Sequence, residues 1–367
     1  MKTRGFTLIE LLAVIIILSI IALIASPIII GLIDDARKKA FTTTANNLVD
    51  VMEDKCQLQI LKKETITTTY KFDDGVISPS LNIKGALPIN GTAIVDSSCN
   101  VVLSVTNGSF TATKTMTTED IEVVEGSQVE ELYPVYANGT AIYFNPVTGV
   151  TCTSAEAVST TGTKTGCMKW HTFNDGGNTS GTINMILDHN TTSTIAWNSS
   201  ASTVSGPNEI LTRLQSDTSS WAGVPTRTDS YSVSNGSSTY TINYSGYKAR
   251  IISANEVAMI TGNTSFNETT SLGSNYFFFD NNSTSTPSTY TGKYSWLYNY
   301  TYNCTNYGCS VADNNLFGYW ASTSISGTVG SAWSVRYYSS LIGNDTTVSS
   351  SNAYGLRPVI TISKNVL

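Results

Sequence analysis

Charged side chains are scarce in this chain, and that scarcity sets the first limits on its function. Asp, Glu, Lys and Arg make up 13% of the 367 residues, whereas about a quarter is usual. The formal net charge is −6, and the longest basic stretch is Arg37, Lys38 and Lys39. A nucleic-acid-binding surface needs clustered Lys and Arg. We therefore expect no direct nucleic-acid binding.

Histidine is also scarce, and no two cysteines stand in a CxxC arrangement. His171 and His189 are too few to complete a zinc site without such cysteines, so we expect no metal and no cofactor. No Ser/His/Asp set or phosphate loop is visible. Asp175 near His171 and Asp188 beside His189 are pairs too common to indicate catalysis. The sequence thus predicts a protein that is not an enzyme.

The cysteines are even in number, which in an exported chain indicates disulfides. They are Cys56, Cys99, Cys152, Cys167, Cys304 and Cys309. The third and fourth, and the fifth and sixth, lie close in sequence, so closure of two local loops is statistically easy. Elimination leaves the first two as the third pair. The alternative is six unrelated buried thiols.

The N-terminal region contains one long uncharged run. After Glu10 no charge appears until Asp34, and residues 11–33 are long enough to span a bilayer of about 30 Å as a helix. An ordinary signal peptide has a shorter apolar core followed by small residues. Here a basic segment, residues 1–5, ends in Gly5 ahead of the run. We expect a five-residue leader and a single membrane span.

The segment from Gly5 to Glu10 (GFTLIE) resembles the processing motif of type IV prepilins and type II secretion pseudopilins. The resemblance implies that a prepilin peptidase cuts between Gly5 and Phe6 and methylates Phe6. It also implies assembly with other pilin subunits, in which the Phe6 amine of one subunit neutralises Glu10 of a neighbour in an apolar bundle. The alternative is that Glu10 stays hydrated at the membrane surface.

The N-terminal helix is predicted to continue past the membrane to about residue 61. Pro27 lies inside it and removes one backbone hydrogen bond. Pilins of the resembled family often carry a proline at the matching place, which implies a bend or local melting in the fibre; a kink without a role in assembly is the alternative. Beyond the span, apolar residues recur three or four apart and predict a face that packs on a globular head. They are Phe41, Ala45, Leu48, Met52, Cys56 and Ile60.

Residues 62–126 contain short strand-like runs separated by turn signals, among them Asn-Gly pairs at positions 90 and 107. An Asn-Gly pair between such runs indicates a hairpin. We therefore expect a small antiparallel sheet like that of a pilin head. An acidic, polar stretch then marks a boundary, and residues 127–367 form a larger β-rich domain. In it, Ser253 and Glu256 match a capping box that begins a short helix.

The last part of the chain resembles an uncharacterised domain of surface proteins of Gram-positive gut bacteria. The patterns that carry the resemblance are Arg250-Ile251-Ile252, Gly318-Tyr319-Trp320 and Gly355-Leu356-Arg357-Pro358-Val359. They are also similar to C-type-lectin and formylglycine-generating-enzyme domains. Those enzymes use a reactive cysteine pair, but Cys304 and Cys309 match a local loop bridge, so catalysis is not implied.

Together these observations predict an α+β chain: a long N-terminal helix, a small antiparallel pilin head and a large mixed domain of C-type-lectin-like type. The first expected function is a minor or tip subunit of a pilus-like filament on a Gram-positive cell surface, with a C-terminal domain for adhesion or ligand binding. The expected partners are prepilin peptidase, other pilin subunits, membrane lipid before assembly and an unknown surface ligand. The alternatives are a pseudopilin of a secretion or DNA-uptake machine and a membrane-tethered enzyme.

Overall fold

The computed structural model divides the chain into two compact units, Met1–Pro134 and Val135–Leu367. It describes residues 7–64, 66, 68–83, 86–116, 118, 120–157, 166–191, 194–234, 239–263, 266, 276–278, 292–298, 318–327, 330–336, 340–342, 348–349 and 354–367.

The first unit begins with one long helix, α1 (Leu8–Lys62). Thr7 is its N-cap, and the helix runs without interruption through Pro27. It ends where Lys63 adopts a left-handed conformation, with φ of 58°, and donates its backbone N–H to the carbonyls of Gln59 and Ile60. Such a left-handed residue satisfies carbonyls that the last turn leaves unpaired.

The apolar face of α1 is buried from its middle onward, as the spacing predicted. The buried residues are Phe41, Ala45, Leu48, Val49, Met52 and Cys56. The prediction was wrong for Ile60, which is 47% exposed. Periodicity identifies the face that a helix buries, but it does not show where the partner surface stops. Here the buried face stops one turn earlier, at Cys56.

A six-stranded antiparallel sheet covers this face. Its strands are β1 (Thr69–Asp73), β2 (Val76–Ser78), β3 (Asn90–Val95), β4 (Val101–Thr106), β5 (Phe110–Lys114) and β6 (Glu122–Glu125). Their order across the sheet is β2-β1-β3-β4-β5-β6. Tyr70, Leu103 and Phe110 belong to the core that the sheet forms with the helix. The predicted long helix and antiparallel β head are therefore both present.

The two Asn-Gly pairs play different roles. Asn107-Gly108 is a hairpin turn between β4 and β5, in which the Asn107 side chain accepts the backbone N–H groups of Ser109 and Phe110. Asn90-Gly91 was predicted as a turn but starts β3. Gly91 pairs with Val105 at φ +132°, and an added Cβ would lie 2.2 Å from the carbonyl oxygen of Ser104. This glycine allows two strands to approach closely.

The segment after β6 belongs to the first unit. The backbone N–H of Glu130 donates to the Ser104 hydroxyl at 2.8 Å, and Leu132 packs against Ile94 and Val102. These two side chains alternate with those that face the helix, so Leu132 covers the other face of the sheet. The first compact unit accordingly extends to Pro134, and the domain boundary at residue 126 stays a prediction.

The second unit is β-rich. In chain order its elements are β7 (Ala141–Asn145), β8 (Val150–Thr151), β9 (Met168–Phe173), β10 (Thr182–Leu187), α2 (Asn208–Thr218), β11 (Ser230–Ser234), β12 (Thr239–Asn243), β13 (Arg250–Ile251), α3 (Ala254–Thr261), β14 (Tyr276–Phe278), α4 (Ser295–Tyr298), β15 (Gly318–Ser324), β16 (Ala332–Arg336), β17 (Ser340–Ile342), β18 (Tyr354–Gly355), β19 (Pro358–Ser363) and the 3₁₀-helix Lys364–Val366.

These strands form two larger sheets and one hairpin. The first sheet has the order β13-β19-β10-β9-β7-β8 and is antiparallel throughout. The second has the order β14-β17-β16-β15-β18, with one parallel pair, β15 and β18. Strands β11 and β12 pair with each other. The predicted capping box is confirmed, because Ser253 caps α3 and exchanges hydrogen bonds with Glu256.

The largest hydrophobic core of the second unit contains four tryptophans. Trp170, Trp197, Trp221 and Trp320 are all buried in it. The indole N–H groups of Trp197 and Trp320 donate to the carbonyls of Ala321 and Ile195 at 2.9 and 2.7 Å. Buried indoles need such partners. The bonds connect loop 194–198 to β15.

Candidate functional site

Glu10 is the first of the predicted functional residues at the N-terminus that the structure describes. Its carboxylate lies in the first turn of α1 and accepts the backbone N–H of Thr7 at 2.8 Å and the Thr7 hydroxyl at 2.9 Å. The Glu10 N–H in turn donates to the Thr7 hydroxyl at 3.3 Å. This reciprocal arrangement is a capping box, which satisfies donors at the helix start.

Sequence reasoning missed Thr7. The signal was present, because Thr7 and Glu10 have the same spacing as Ser253 and Glu256, whose capping box was predicted. The consequence concerns Glu10: both of its bonds use oxygen Oε2, and Oε1 makes no hydrogen bond to any described residue. A carboxylate can accept several donors. Glu10 therefore keeps one oxygen available for a cation while it caps its own helix.

Gly5 and Phe6, the predicted cleavage and methylation residues, lie outside the described residues. Cleavage between them therefore stays a prediction.

The first half of α1 presents an apolar surface that no other described residue of the chain covers. An 18-residue window has a mean hydropathy of 3.1 and none of it is buried, so the helix is long and apolar enough to cross a membrane. Its two serines do not break this surface. The hydroxyls of Ser19 and Ser26 donate to the carbonyls of Ile15 and Ala22, both at 2.7 Å. Satisfying polar groups within the helix lowers their cost in hydrocarbon.

Two cysteine pairs lie at disulfide distance. Cys56 on α1 bonds to Cys99 in the turn between β3 and β4, with Cα atoms 5.6 Å apart. Cys152 bonds to Cys167 in the second unit, with Cα atoms 6.1 Å apart. Both separations lie within the usual range for disulfides. The third predicted pair, Cys304 and Cys309, falls outside the described residues.

The histidines lie in the second unit in a buried cluster around Asp188. The Asp188 carboxylate contacts the Nε2 of His171 at 2.5 Å, the Nδ1 of His189 at 2.7 Å and the Nζ of Lys169 at 3.3 Å. Burial alone would raise the pKa of Asp188, but hydrogen bonds from the two histidines hold that pKa well below its ordinary value. The sequence named His189 and Asp188 as neighbours and did not predict that His171 joins them.

The other pair noted in the sequence does not form. Asp175 accepts Lys364 Nζ at 2.6 Å and the backbone N–H groups of Tyr136 and Gly177, whereas His171 bonds to Asp188. Both Lys364 and Asp175 are buried. This ion pair ties the C-terminal 3₁₀-helix to the segment between β9 and β10. Among the described residues, no group of three or more His, Cys, Asp or Glu could hold a metal ion.

Comparison with known families identifies the N-terminal segment. Residues 1–26 match the family model described as the prokaryotic N-terminal methylation motif. The match covers Glu10 and most of the exposed apolar run of α1. Searches of curated proteins and of solved structures found no match.

The N-terminus is therefore of the type IV prepilin kind, and the motif supports a pilin-like or pseudopilin-like role. The motif implies processing by a prepilin peptidase and assembly with other pilins. An apolar N-terminal helix with such a motif fits a membrane-anchored protein that is assembled into a surface filament.

Proposed function

We propose that this chain is a minor or tip subunit of an extracytoplasmic type IV pilus-like filament, in which the second unit serves adhesion or ligand binding. The observation that carries the proposal is the exposed apolar half of α1, which coincides with the methylation motif at residues 1–26. Exposure of such a large apolar surface to water is energetically unfavourable. A bilayer covers it before assembly, and the helices of neighbouring subunits cover it in a filament.

The charge at Glu10 supports assembly rather than a simple anchor. In a filament core, the carboxylate is surrounded by apolar helices and needs a cation. The α-amine that cleavage creates on Phe6 of a neighbour supplies that cation. The Oε1 atom of Glu10, which makes no bond to the described residues, can accept it without loss of the capping bonds to Thr7.

The size of the second unit supports a minor or tip position. The second unit, Val135–Leu367, is longer than the first. If every subunit carried it, the filament would have to accommodate a second unit at every helical step. A few copies, or copies at one end, avoid that crowding. The same argument favours display of the second unit at the surface.

We also propose that the chain is not an enzyme. The cluster of Asp188, His171 and His189 has its acid and both bases buried and bonded to one another. A catalytic base must reach a substrate proton directly or through one water. This cluster is instead suited to holding β9 and the end of β10 together.

The proposal is tested by immunogold electron microscopy of sheared surface filaments, with an antibody raised against the second unit. We expect gold particles on filaments, sparse along the shaft or confined to one end. Dense, regular labelling would contradict the minor or tip position. A chain that is confined to the membrane fraction, with no label on filaments, would contradict the filament role and favour a pseudopilin.

A further inference from the structure

The second unit contains a small polar pocket that the filament role does not use. It has a volume of about 220 Å³ and is lined by Arg227, Asp229, Tyr231, Arg250, Ser253 and Glu256. Arg227 and Asp229 lie just before β11, and Tyr231 lies in it; the other three residues come from β13 and from the beginning of α3. Ligand pockets for drug-sized molecules are about 300–1,000 Å³. This pocket is therefore sized for a single small group, such as the terminal unit of a chain.

One wall is the ion pair of Arg250 and Glu256. The guanidinium donates to both carboxylate oxygens, at 2.7 and 2.6 Å, a geometry that fixes both side chains. Glu256 also accepts the backbone N–H of Ser253 at 2.9 Å. The capping box of α3 thereby holds this wall in place before any ligand arrives.

The other ion pair of the lining, Arg227 and Asp229, is more accessible. Arg227 donates to Asp229 at 2.7 Å and to the Thr361 hydroxyl at 3.2 Å. Asp229 is the more exposed member, with 46% of its side chain open to solvent. The Nε of Arg227 is buried and makes no hydrogen bond to the described residues. A ligand does not reach that buried atom, so the pair offers the exposed Asp229 carboxylate and the 14% of the Arg227 side chain that is open to solvent.

Tyr231 supplies an aromatic surface. Its ring packs against Tyr244 with centroids 5.9 Å apart, and its hydroxyl donates to the Ser322 hydroxyl at 2.5 Å. Tyr244 is itself anchored, because its hydroxyl accepts the backbone N–H of Ile251 at 3.2 Å. The Tyr231 ring is therefore held in one orientation, and this half-buried residue is part of the pocket lining.

The charges in the pocket select a class of ligand. Two guanidinium groups and two carboxylates are each paired, so the pocket is close to neutral. An anionic ligand would meet Asp229 and Glu256, and a cationic ligand would meet Arg227 and Arg250. A neutral ligand with several hydroxyls avoids both conflicts, because each hydroxyl can accept from a guanidinium and donate to a carboxylate.

We propose that this pocket binds a neutral terminal sugar residue of a surface glycan. Its hydroxyls would bond to Asp229 and Arg227, and the apolar C–H face of its ring would rest on Tyr231. The inference deepens the proposed function, since it names the ligand class of the second unit.

The test is a binding assay with the full chain in detergent and an array of defined glycans that end in neutral or acidic sugars. We expect binding to at least one glycan with a neutral terminal sugar. Asp229→Asn should weaken that binding about tenfold, because a hydrogen bond to a charged group is lost. The matched control is Glu156→Gln, which removes an exposed carboxylate of the same unit outside the pocket and should leave binding unchanged.

Several outcomes would overturn the inference: no glycan binding, binding to acidic sugars alone, or equal loss in both variants. If Asp229→Asn does not fold, competition on the wild-type chain gives the same discrimination, since free neutral methyl glycosides should displace the bound glycan and free acidic sugars should not. Failure here is distinguishable from failure of the filament role. A chain that labels sheared filaments but binds no neutral glycan refutes only the ligand.

Discussion

At the scale of single residues, the central question is what the Glu10 carboxylate does. In the isolated subunit it caps its own helix through Thr7. Losing a cap costs about 1 kcal/mol, whereas leaving one member of a buried ion pair without its partner costs about 3–5 kcal/mol. Loss of the Glu10 charge should therefore destabilise the filament by more than loss of the cap destabilises the helix. Substitutions that remove only the charge or only the cap can separate the two roles.

We predict that Glu10→Gln and Glu10→Val both insert in the membrane and both fail to form filaments, while Glu10→Asp loses less. The glutamine variant keeps an oxygen that can accept from Thr7 but leaves the neighbour's amine without a counter-charge. Thr7→Ala is the matched control, since it weakens the cap and keeps the charge, and it should assemble. Filament yield after shearing is the measurement. Normal filaments from Glu10→Val would contradict the pairing.

The second prediction at the scale of single residues concerns Asp188 and the pH dependence of stability. Its pKa in the fold is lower than the value of about 3.9 expected in the unfolded chain. The carboxylate therefore stabilises the fold above about pH 4, and this contribution is lost as the pH falls further.

Asp188→Asn should cost about 3 kcal/mol or more at pH 7, because the group is buried among cations and histidines. Thermal unfolding from pH 7 to pH 2.5 is the check. The variant should lose less stability than the wild type over the acid range. Glu156→Gln, at an exposed carboxylate of the same unit that accepts hydrogen bonds from Thr153, should lower the Tm at pH 7 far less than Asp188→Asn does. Parallel curves for Asp188→Asn and wild type would show that the carboxylate is not coupled to folding.

At the scale of elements, the sheet of the first unit depends on a close approach at Gly91. A Cβ there would meet the Ser104 carbonyl oxygen at 2.2 Å, whereas at Gly126, which has a similar φ of +126°, no atom lies within 4 Å of the added Cβ. Gly126→Ala consequently carries only the backbone strain, of about 1–3 kcal/mol.

Gly91→Ala carries the same strain and also forces β3 and β4 apart, which costs about 1–3 kcal/mol more. Chemical denaturation of both variants measures the difference. Equal destabilisation would mean that the strands can move apart freely, and the close approach would then not explain why a glycine stands at this position.

The bond between Cys56 and Cys99 connects α1 to the turn between β3 and β4, across 43 residues of chain. Removing a disulfide that closes a loop of this kind costs about 2–4 kcal/mol. Cys56→Ser should therefore lower the Tm of the first unit, and Cys152→Ser, in a local loop of the second unit, should leave it unchanged. Non-reducing peptide mapping checks the pairing, and a Cys99–Cys152 link would refute it.

Some features of the fold and of the candidate site could be predicted from the sequence, and others could not. The membrane-length run, the buried face of α1 and the capping box of α3 follow from local spacing, which is why they could be predicted. The role of Gly91 and the extent of the first unit depend on contacts between separate elements, such as Gly91 with Ser104 and Leu132 with Ile94. The cluster at Asp188 has the same origin, since β9 and β10 pair only in the folded chain. The local spacing of residue types does not show which separate strands and loops come into contact.

At the scale of the whole molecule, we propose that the chain has one segment for assembly and one unit for display. The apolar half of α1 and Glu10 serve assembly. The second unit carries its own cores, built on buried tryptophans in one case and on Tyr319, Val257 and Val335 in another. Changes at Glu10 should therefore leave the glycan pocket intact, and changes in the pocket should leave filaments intact.

The most direct test of this account is N-terminal mass spectrometry of the chain recovered from sheared surface filaments of cells with an active prepilin peptidase. We predict a mature chain that begins at Phe6 and carries a methyl group on its amine. A chain that still begins at Met1, a cut after Ala25 or Ser26, or the absence of the chain from the filaments would contradict it.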